Sequence, residues 1–420
     1  MTQQGQKAGP GTSANGVLAM LMVVYTFNFL DRQILAILAE PVKRDLGLTD
    51  TQMGALGGIA FALFYSTMAI PIGIIADRRG RAKVIGISLI IWSGFTALCG
   101  VAQNFGQMFL CRLGVGIGEA GGVAPSYAII ADRFPPERRA RALAIYSLGV
   151  PLGQGLGALF GTIIAAAADW RTTFVILGIA GILVWFPYSR VVRDRVPATP
   201  FSAGEASPTM AVFGRLSRQP AFWMLSFGAA AGSFCGYGIA FWVPALLQRS
   251  FGLSLVEAGQ FVGAQLLIAG VAGVYAGGWL GDRLGYGDKA GYARVAAVAY
   301  ALSAVLLALA FTSSNVFWFF FMILIPSGLI SVWIAPVVTA VQHLVPASDR
   351  ATASACFLLI NNGIGLGFGS LCVGLLSDGL APIYGADALR YALIAVSLLY
   401  VLATAFMLLA APRLRQGWIA

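Results

Sequence analysis

Four ionisable side chains stand inside apolar stretches of this sequence. Asp31 and Arg32 lie side by side in TFNFLDRQILAIL, residues 26–38, and Arg112 and Glu119 lie in CRLGVGIGEAGG, residues 111–122. An ionisable group at membrane depth is costly unless paired or hydrated, which makes all four functional candidates. A buried carboxylate favours its neutral form and a neighbouring arginine favours the charged one, so an acid beside a movable arginine can gain and lose a proton. Glu119 is the first choice for that proton, with Asp31 second. Arg32, Arg112 and Glu119 are the candidate contacts to an anionic small molecule.

Depth and rotation suggest how the four meet. A first helix ending near Leu38 places Asp31 ~10 Å from its end, and a fourth helix starting near Phe105 places Arg112 at about the same depth. Asp31 and Arg112 are therefore expected to pair. Arg112 and Glu119 are seven apart and share a helix face, with Glu119 ~10 Å deeper, near the midplane. Arg32 is rotated by ~100° from Asp31 and is the group freest to meet Glu119 or an anion. A static ion-pair network that packs the two helices is the competing view; its weakness is that buried pairs stabilise poorly compared with apolar packing.

The elements that position these residues are read from composition and run length. A chain of 420 residues that is 58% hydrophobic, only 10% charged and has a mean hydropathy of +0.81 cannot bury its apolar surface in one soluble core. It reads as an all-α membrane protein whose solvent is the lipid bilayer. Apolar runs near 16–38, 53–76, 83–103, 105–131, 140–166, 172–192, 221–248, 257–281, 292–312, 315–342, 350–377 and 388–411 predict twelve transmembrane helices. The ~10-residue alternating segments of a β-barrel are not seen. A polar stretch separates a six-helix bundle at 1–192 from another at 220–420, with 193–219 as a cytoplasmic linker. The first helix is too long for a signal-peptide core and is expected to stay in the mature protein.

Charge placement gives the orientation. Most arginines and lysines, among them Arg78, Arg81, Arg139, Arg193 and Arg283, fall on one side, while Lys43, Arg44, Arg171, Arg249 and Arg390 fall on the other. By the positive-inside rule the first side, with both termini, is cytoplasmic. The net charge of +10 is then a topology signal and not a nucleic-acid surface. The five cysteines fall in predicted spans at positions that do not suggest a disulfide framework, and His343 is the only histidine, so no metal or cofactor site is expected. No nucleophile and base are placed together, so the chain is not expected to be an enzyme.

GIIADRRG, residues 73–80, recurs as GWLGDRLG, residues 278–285, with Gly, Asp, Arg and Gly in register. This repeat predicts two bundles in the same orientation. Glycine ladders at Gly149, Gly153, Gly157 and Gly161, and at Gly273, Gly277 and Gly281, suggest helices that approach closely, either to slide or simply to pack.

The repeated signature and the six-plus-six layout resemble the major facilitator superfamily. The resemblance implies two bundles rocking about a central cavity, with Asp77, Arg78, Arg81, Asp282 and Arg283 as gating residues on the cytoplasmic side. FNFLDR, RLGVGIGEA, APSYAIIADRF and RARALAIYSLGVPLGQGLGALFG are similar to the spinster family within it. That similarity implies a transporter of lysophospholipids or sphingosine 1-phosphate-like lipids, coupled to protons through Glu119 and Asp31. The Asp-Arg and Arg-Glu pairs also resemble proton-coupled symporters of sugar acids and other organic anions, which is the alternative. A lipid receptor on the same scaffold would bind ligand without flux. The second half carries no counterpart to the four charges, so its cavity wall is expected from neutral groups such as Gln265, Asn361 and Asn362, with Tyr65, Tyr237, Trp242 and Trp333 as substrate contacts. A monomer in a bacterial inner membrane completes the expectation.

Overall fold

A computed structural model describes residues 13–194, 209–346 and 349–419 of this chain. Most of the expected linker, 195–208, lies outside the described residues. The fold is all-helical and consists of twelve membrane spans. Span 1 is Ala14–Ile37 and leads through the short helix Ala39–Leu46 into span 2, which is Asp50–Gly57 followed by Ile59–Arg79. Span 3 is Arg81–Cys99, span 4 is Phe105–Glu119 with Val123–Arg133, span 5 is Pro136–Ser147 with Gly149–Ala167, and span 6 is Trp170–Val191. After the helix Thr209–Ser217 come span 7, Pro220–Ser250, and span 8, Leu255–Gln265 and Val271–Gly287 around a π-helical turn. Span 9 is Gly291–Thr312 and span 10 is Val316–Val332 with Ile334–Gln342. Span 11 is Arg350–Asn361 and Gly367–Tyr384 around a second π turn, and span 12 is Ala388–Ser397 with Leu399–Gly417. Eleven apolar runs among the described residues are long enough to cross a membrane, and the last of them holds two passes that reverse at Gly385, where φ is 55°.

Local chemistry explains where spans begin. Span 2 opens on a capping box, with the Thr49 side chain accepting from the Gln52 amide and the Gln52 side chain returning to Thr49. Span 8 opens on the same device, Ser254 with Glu257. Residues 49 and 254 are separated by the offset that relates Asp77 to Asp282, so the internal repeat extends from the signature to the opposite end of the same spans.

Within the first six spans, span 1 packs on span 5, span 3 on span 6 and span 4 on spans 2 and 3. Within the last six, span 12 packs on spans 7 and 9, and span 10 on spans 8 and 9. The two sets meet where span 2 crosses span 11 and span 5 crosses span 8.

These contacts show which neighbours the glycine ladders pack against. Gly149, Gly153 and Gly157 face the backbone and side chains of Tyr25, Thr26 and Leu30 in span 1, and Gly273 faces Gly328 in span 10. The described glycines of both ladders therefore pack spans of the same bundle together. Gly277 and Gly281 lie outside the described side chains. The seams between bundles use other glycines. A Cβ on Gly58 would sit 2.5 Å from the Gly367 carbonyl, one on Gly263 would meet the Leu159 side chain at 2.7 Å, and Gly155 meets Leu267 from the face of span 5 opposite its ladder. A ladder identifies a close-packed face but not the neighbour that fills it.

Candidate functional site

Arg32 is the centre of the site. Its Nε donates to Glu119 Oε2 at 2.7 Å, joining span 1 to span 4, with Glu119 fully buried. The guanidinium carbon lies 4.7 Å from the ring centre of Phe29, 4.6 Å from Phe61 and 4.5 Å from Tyr65. Cation–π contacts with a desolvated guanidinium contribute about 1–2 kcal/mol each, so this cage holds Arg32 whether or not its carboxylate partner is charged.

Span 4 supplies Glu119 at a break. The sequence suggests an unbroken helix over 105–131, but the helical ladder stops at Glu119 and resumes at Val123, across Ala120, Gly121 and Gly122. Gly116 lies against the Phe61 carbonyl of span 2, and a Cβ on Gly118 would reach the Trp92 amide of span 3 at 2.6 Å. The alternating glycines of GVGIGE thus let two neighbouring backbones close around the ion pair.

The expected pair of Asp31 with Arg112 is not formed. Asp31 is buried and its Oδ2 accepts from Thr96 Oγ1 of span 3 at 3.2 Å. Arg112, equally buried, places its guanidinium carbon 5.5 Å from the Phe61 ring, and no ion pair within 4.0 Å joins it to Asp31. Span 3 brings a hydroxyl to the Asp31 carboxylate, and Arg112 lines the cavity between the bundles.

That cavity has a volume of about 60 Å³ and is lined by Phe29, Arg32, Gln33, Gly57, Phe61, Arg112 and Gln154 from the first bundle and by Tyr237, Phe241, Leu366 and Ser370 from the second. Its cations all come from one side. Of the predicted contacts, Tyr237 lines it and Tyr65 belongs to the Arg32 cage. Trp242, Trp333 and Asn361 are packed within the second bundle. Trp242 Nε1 donates to the Ser370 carbonyl at 2.9 Å, Trp333 lies against Phe357, and Asn361 accepts from Ser233 and donates to Asn362. Gln265 donates to Ser327 at 2.6 Å. Gln33, Gln154 and Ser370 were not singled out from the sequence; only a polar residue one position after the Asp-Arg pair hinted at Gln33.

A second cluster joins the two bundles at the end of span 7 and the start of span 2. Arg249 at the end of span 7 donates from Nε to Glu40 Oε1 at 2.7 Å, and from Nη1 and Nη2 to the two carboxylate oxygens of Asp50 at 2.7 Å each. Lys43 Nζ reaches Asp50 Oδ1 at 2.5 Å, and Ser377 Oγ donates to Asp50 Oδ2 at 2.6 Å. Asp378 caps the start of span 2, accepting from the backbone amides of Asp50 and Thr51 at 3.1 and 2.8 Å and from the Thr51 hydroxyl at 2.6 Å. Glu40, Lys43, Asp50 and Thr51 belong to the first bundle and Arg249, Ser377 and Asp378 to the second, so this lock spans both. Charges at predicted helix ends read as topology signals, which is why the sequence did not reveal it.

The predicted gating residues occupy the opposite, arginine-rich end. Arg81 pairs with Asp77 at 2.8 Å and with Asp132 at 2.7 Å, both within the first bundle. Arg78 is exposed, and Arg283 lies 5.1 Å over the Trp279 ring. The Asp282 side chain lies outside the described residues. The ion pairs of Arg81 and the ring contact of Arg283 each stay inside one bundle.

Comparison with known proteins agrees with this architecture. The family pattern of the Major Facilitator Superfamily matches residues 21–370, and the chain belongs to that family. It is 35% identical to an MFS-type efflux pump of Mycolicibacterium smegmatis over 94% of this chain and 91% of that one. It is 26% identical to protein spinster homolog 1 of Xenopus tropicalis over 93% of this chain and 79% of the relative. The probable L-galactonate transporter of Escherichia coli K12 is 27% identical over 65% of this chain and 63% of its own. Among solved structures, a bacterial homolog of the human lysosomal transporter spinster, in an inward-facing and unoccupied conformation, superposes with a TM-score of 0.87 at 28% identity, covering 99% of this chain and 100% of that one. The chain is therefore a multi-pass membrane transporter that resembles spinster proteins, and not an enzyme.

Proposed function

We propose that this transporter moves an amphipathic anion, a lysophospholipid or sphingosine 1-phosphate-like lipid, by proton-coupled alternating access. One observation carries the reading: the caged Arg32–Glu119 pair opens, beside Arg112, onto a cavity whose facing wall is apolar and aromatic. A charged head group fits the first bundle and a hydrocarbon tail fits the second. Likeness to spinster proteins supports the lipid class.

The positive-inside distribution orients the arginine-rich end, both termini and the Asp77 and Arg283 gate toward the cytoplasm, with the Arg249 lock outside. The conformation is then closed outside and corresponds to the inward-facing state. Protonation of Glu119 neutralises the partner of Arg32 and frees its guanidinium for an anion, and deprotonation returns the guanidinium to Glu119 and expels the anion. Asp31, held by Thr96, is the second proton site and acts on Arg112. Opening to the outside requires Arg249 to leave Glu40 and Asp50, after which the cytoplasmic loop charges, Asp77, Arg78, Arg81, Asp282 and Arg283, come together. The protein works in this scheme as a monomer in a bacterial inner membrane.

A small organic anion or sugar acid is the second reading. The likeness to a probable L-galactonate transporter and the modest cavity favour it. Competition decides between them: with purified protein, labelled lysophospholipid that gluconate displaces poorly supports the lipid reading. Labelled gluconate that binds and that lysophospholipid displaces poorly supports the sugar-acid reading.

A further inference from the structure

The short helix Ala39–Leu46, only eight residues long, carries Glu40 and Lys43 of the Arg249 lock. A helix this short is not stable by itself and takes its orientation from tertiary contacts. At ~100° per residue, Asp45 lies ~140° round the helix from Glu40 and ~200° from Lys43, on the face away from the lock. It stands in the last turn, where the helix dipole disfavours a carboxylate, so a partner has to compensate.

That partner is the start of span 6. Asp45 Oδ2 accepts from Arg171 Nη2 at 2.7 Å and from Trp170 Nε1 at 3.3 Å. Arg171 is itself seated at the end of span 3. Its Nη1 donates to the Gly100 carbonyl at 3.4 Å and to the Ala102 carbonyl, and its guanidinium carbon lies 4.3 Å over the Trp170 ring. The carbonyls that end a helix are the negative pole of its dipole, which favours a cation there. Gly100 caps span 3, and a Cβ at this position would collide with the Arg171 backbone carbonyl, so the glycine lets the two span ends close up. One guanidinium fork thus serves two elements, the connecting helix and the end of span 3.

We propose that Asp45 and Arg171 are positioning residues for the outer lock, bracing the helix Ala39–Leu46 from behind so that Glu40 and Lys43 stay aligned with Asp50 to receive Arg249. The brace, which rests on the closed-outside reading of the Arg249 network given above, adds two residues that make no hydrogen bond to Arg249 and do not line the cavity. All its contacts lie within the first bundle, so opening the outer side leaves it intact. The acids then return to a preset geometry when the bundles close, without the conformational entropy cost of ordering a loose segment each time.

The test uses the full-length protein in right-side-out membrane vesicles. In a background lacking the five native cysteines, Gln154→Cys places one thiol in the cavity wall. Its rate of labelling by an impermeant thiol reagent added outside follows the outward-open population when opening is fast relative to labelling. Arg249→Leu raises that rate. A partly exposed ion pair contributes up to about fivefold to an equilibrium, so Asp45→Ala raises the rate about two- to fivefold. Asp45→Glu, which keeps the carboxylate, labels at the wild-type rate. Arg171→Lys, which keeps the charge but loses the fork, behaves like Asp45→Ala and gives an independent second variant. Once Arg249→Leu has removed the lock, Asp45→Ala adds nothing further. A wild-type rate in Asp45→Ala, or the same multiplication with and without Arg249, overturns the brace and leaves the lock standing. A wild-type rate in Arg249→Leu refutes the closed-outside reading and the brace with it.

Discussion

Replacing Arg249 with leucine separates the closed-outside state from its competitor. Arg249 makes three charge-assisted hydrogen bonds to Glu40 and Asp50, and its side chain is 16% exposed against 6% and 5% for the two acids. Removing one partner of a buried ion pair costs about 3–5 kcal/mol, because the other charge is left buried and uncompensated. Here Asp50 keeps Lys43 and Ser377, and Glu40 keeps a distant Arg44 at 3.9 Å, so the cost falls to about 2–3 kcal/mol. In the outward-open state Arg249 and its partners are separated and hydrated, and the substitution costs little there. At 1.4 kcal/mol per decade the balance moves about 30- to 150-fold toward outward-open. Spin labels at Val101 and Ser314, in a background lacking the five native cysteines, report the separation of the two bundles at the lock end by pulsed dipolar spectroscopy. The account predicts a new, longer distance in Arg249→Leu as the main population. A wild-type distance distribution would refute the reasoning that this network holds the outer side closed.

Two further substitutions separate seam from weld. Gly58→Ala places a methyl against the Gly367 carbonyl across the bundles and shifts the same label distance outward with little loss of thermal stability, whereas Gly153→Ala presses on the Thr26 carbonyl within one bundle and lowers the melting temperature without changing the distance. At the arginine-rich end, the hydrogen bond from Arg415 holds the Asp288 carboxyl below the usual carboxylate range. A depressed carboxyl stabilises the fold above its unfolded pKa of ~3.9 and loses that contribution as pH falls through and below this value. Asp288→Asn should therefore flatten the fall of the melting temperature below about pH 4; an unchanged acid limb contradicts this.

The parts of the fold legible in the sequence were those carried by periodic or repeated signals. Apolar run length located the spans, and the repeated Asp-Arg signature gave the two halves. The four intramembrane charges stood out because lipid tolerates so few, and three of them, Arg32, Glu119 and Arg112, do meet at the cavity or its edge. What was not legible depended on a third partner. Thr96 intervenes between Asp31 and Arg112, an event no pairwise depth argument contains. Span 1 fills the glycine ladder of span 5, and the seam with span 8 falls on Gly155, a residue outside the ladder. The lock was hidden because Glu40, Asp50, Arg249 and Asp378 lie up to 338 positions apart, from 40 to 378, and each alone looks like a hydrated helix end.

In the proposed function Glu119 and Arg32 couple a proton to the movement of an amphipathic anion. Flux of labelled lysophospholipid and labelled gluconate into proteoliposomes, with and without a pH gradient, tests it directly when wild type is compared with Glu119→Gln. The account predicts lysophospholipid flux that follows the gradient in the wild type and loses that dependence in Glu119→Gln. Full gradient-driven flux in the variant would contradict it.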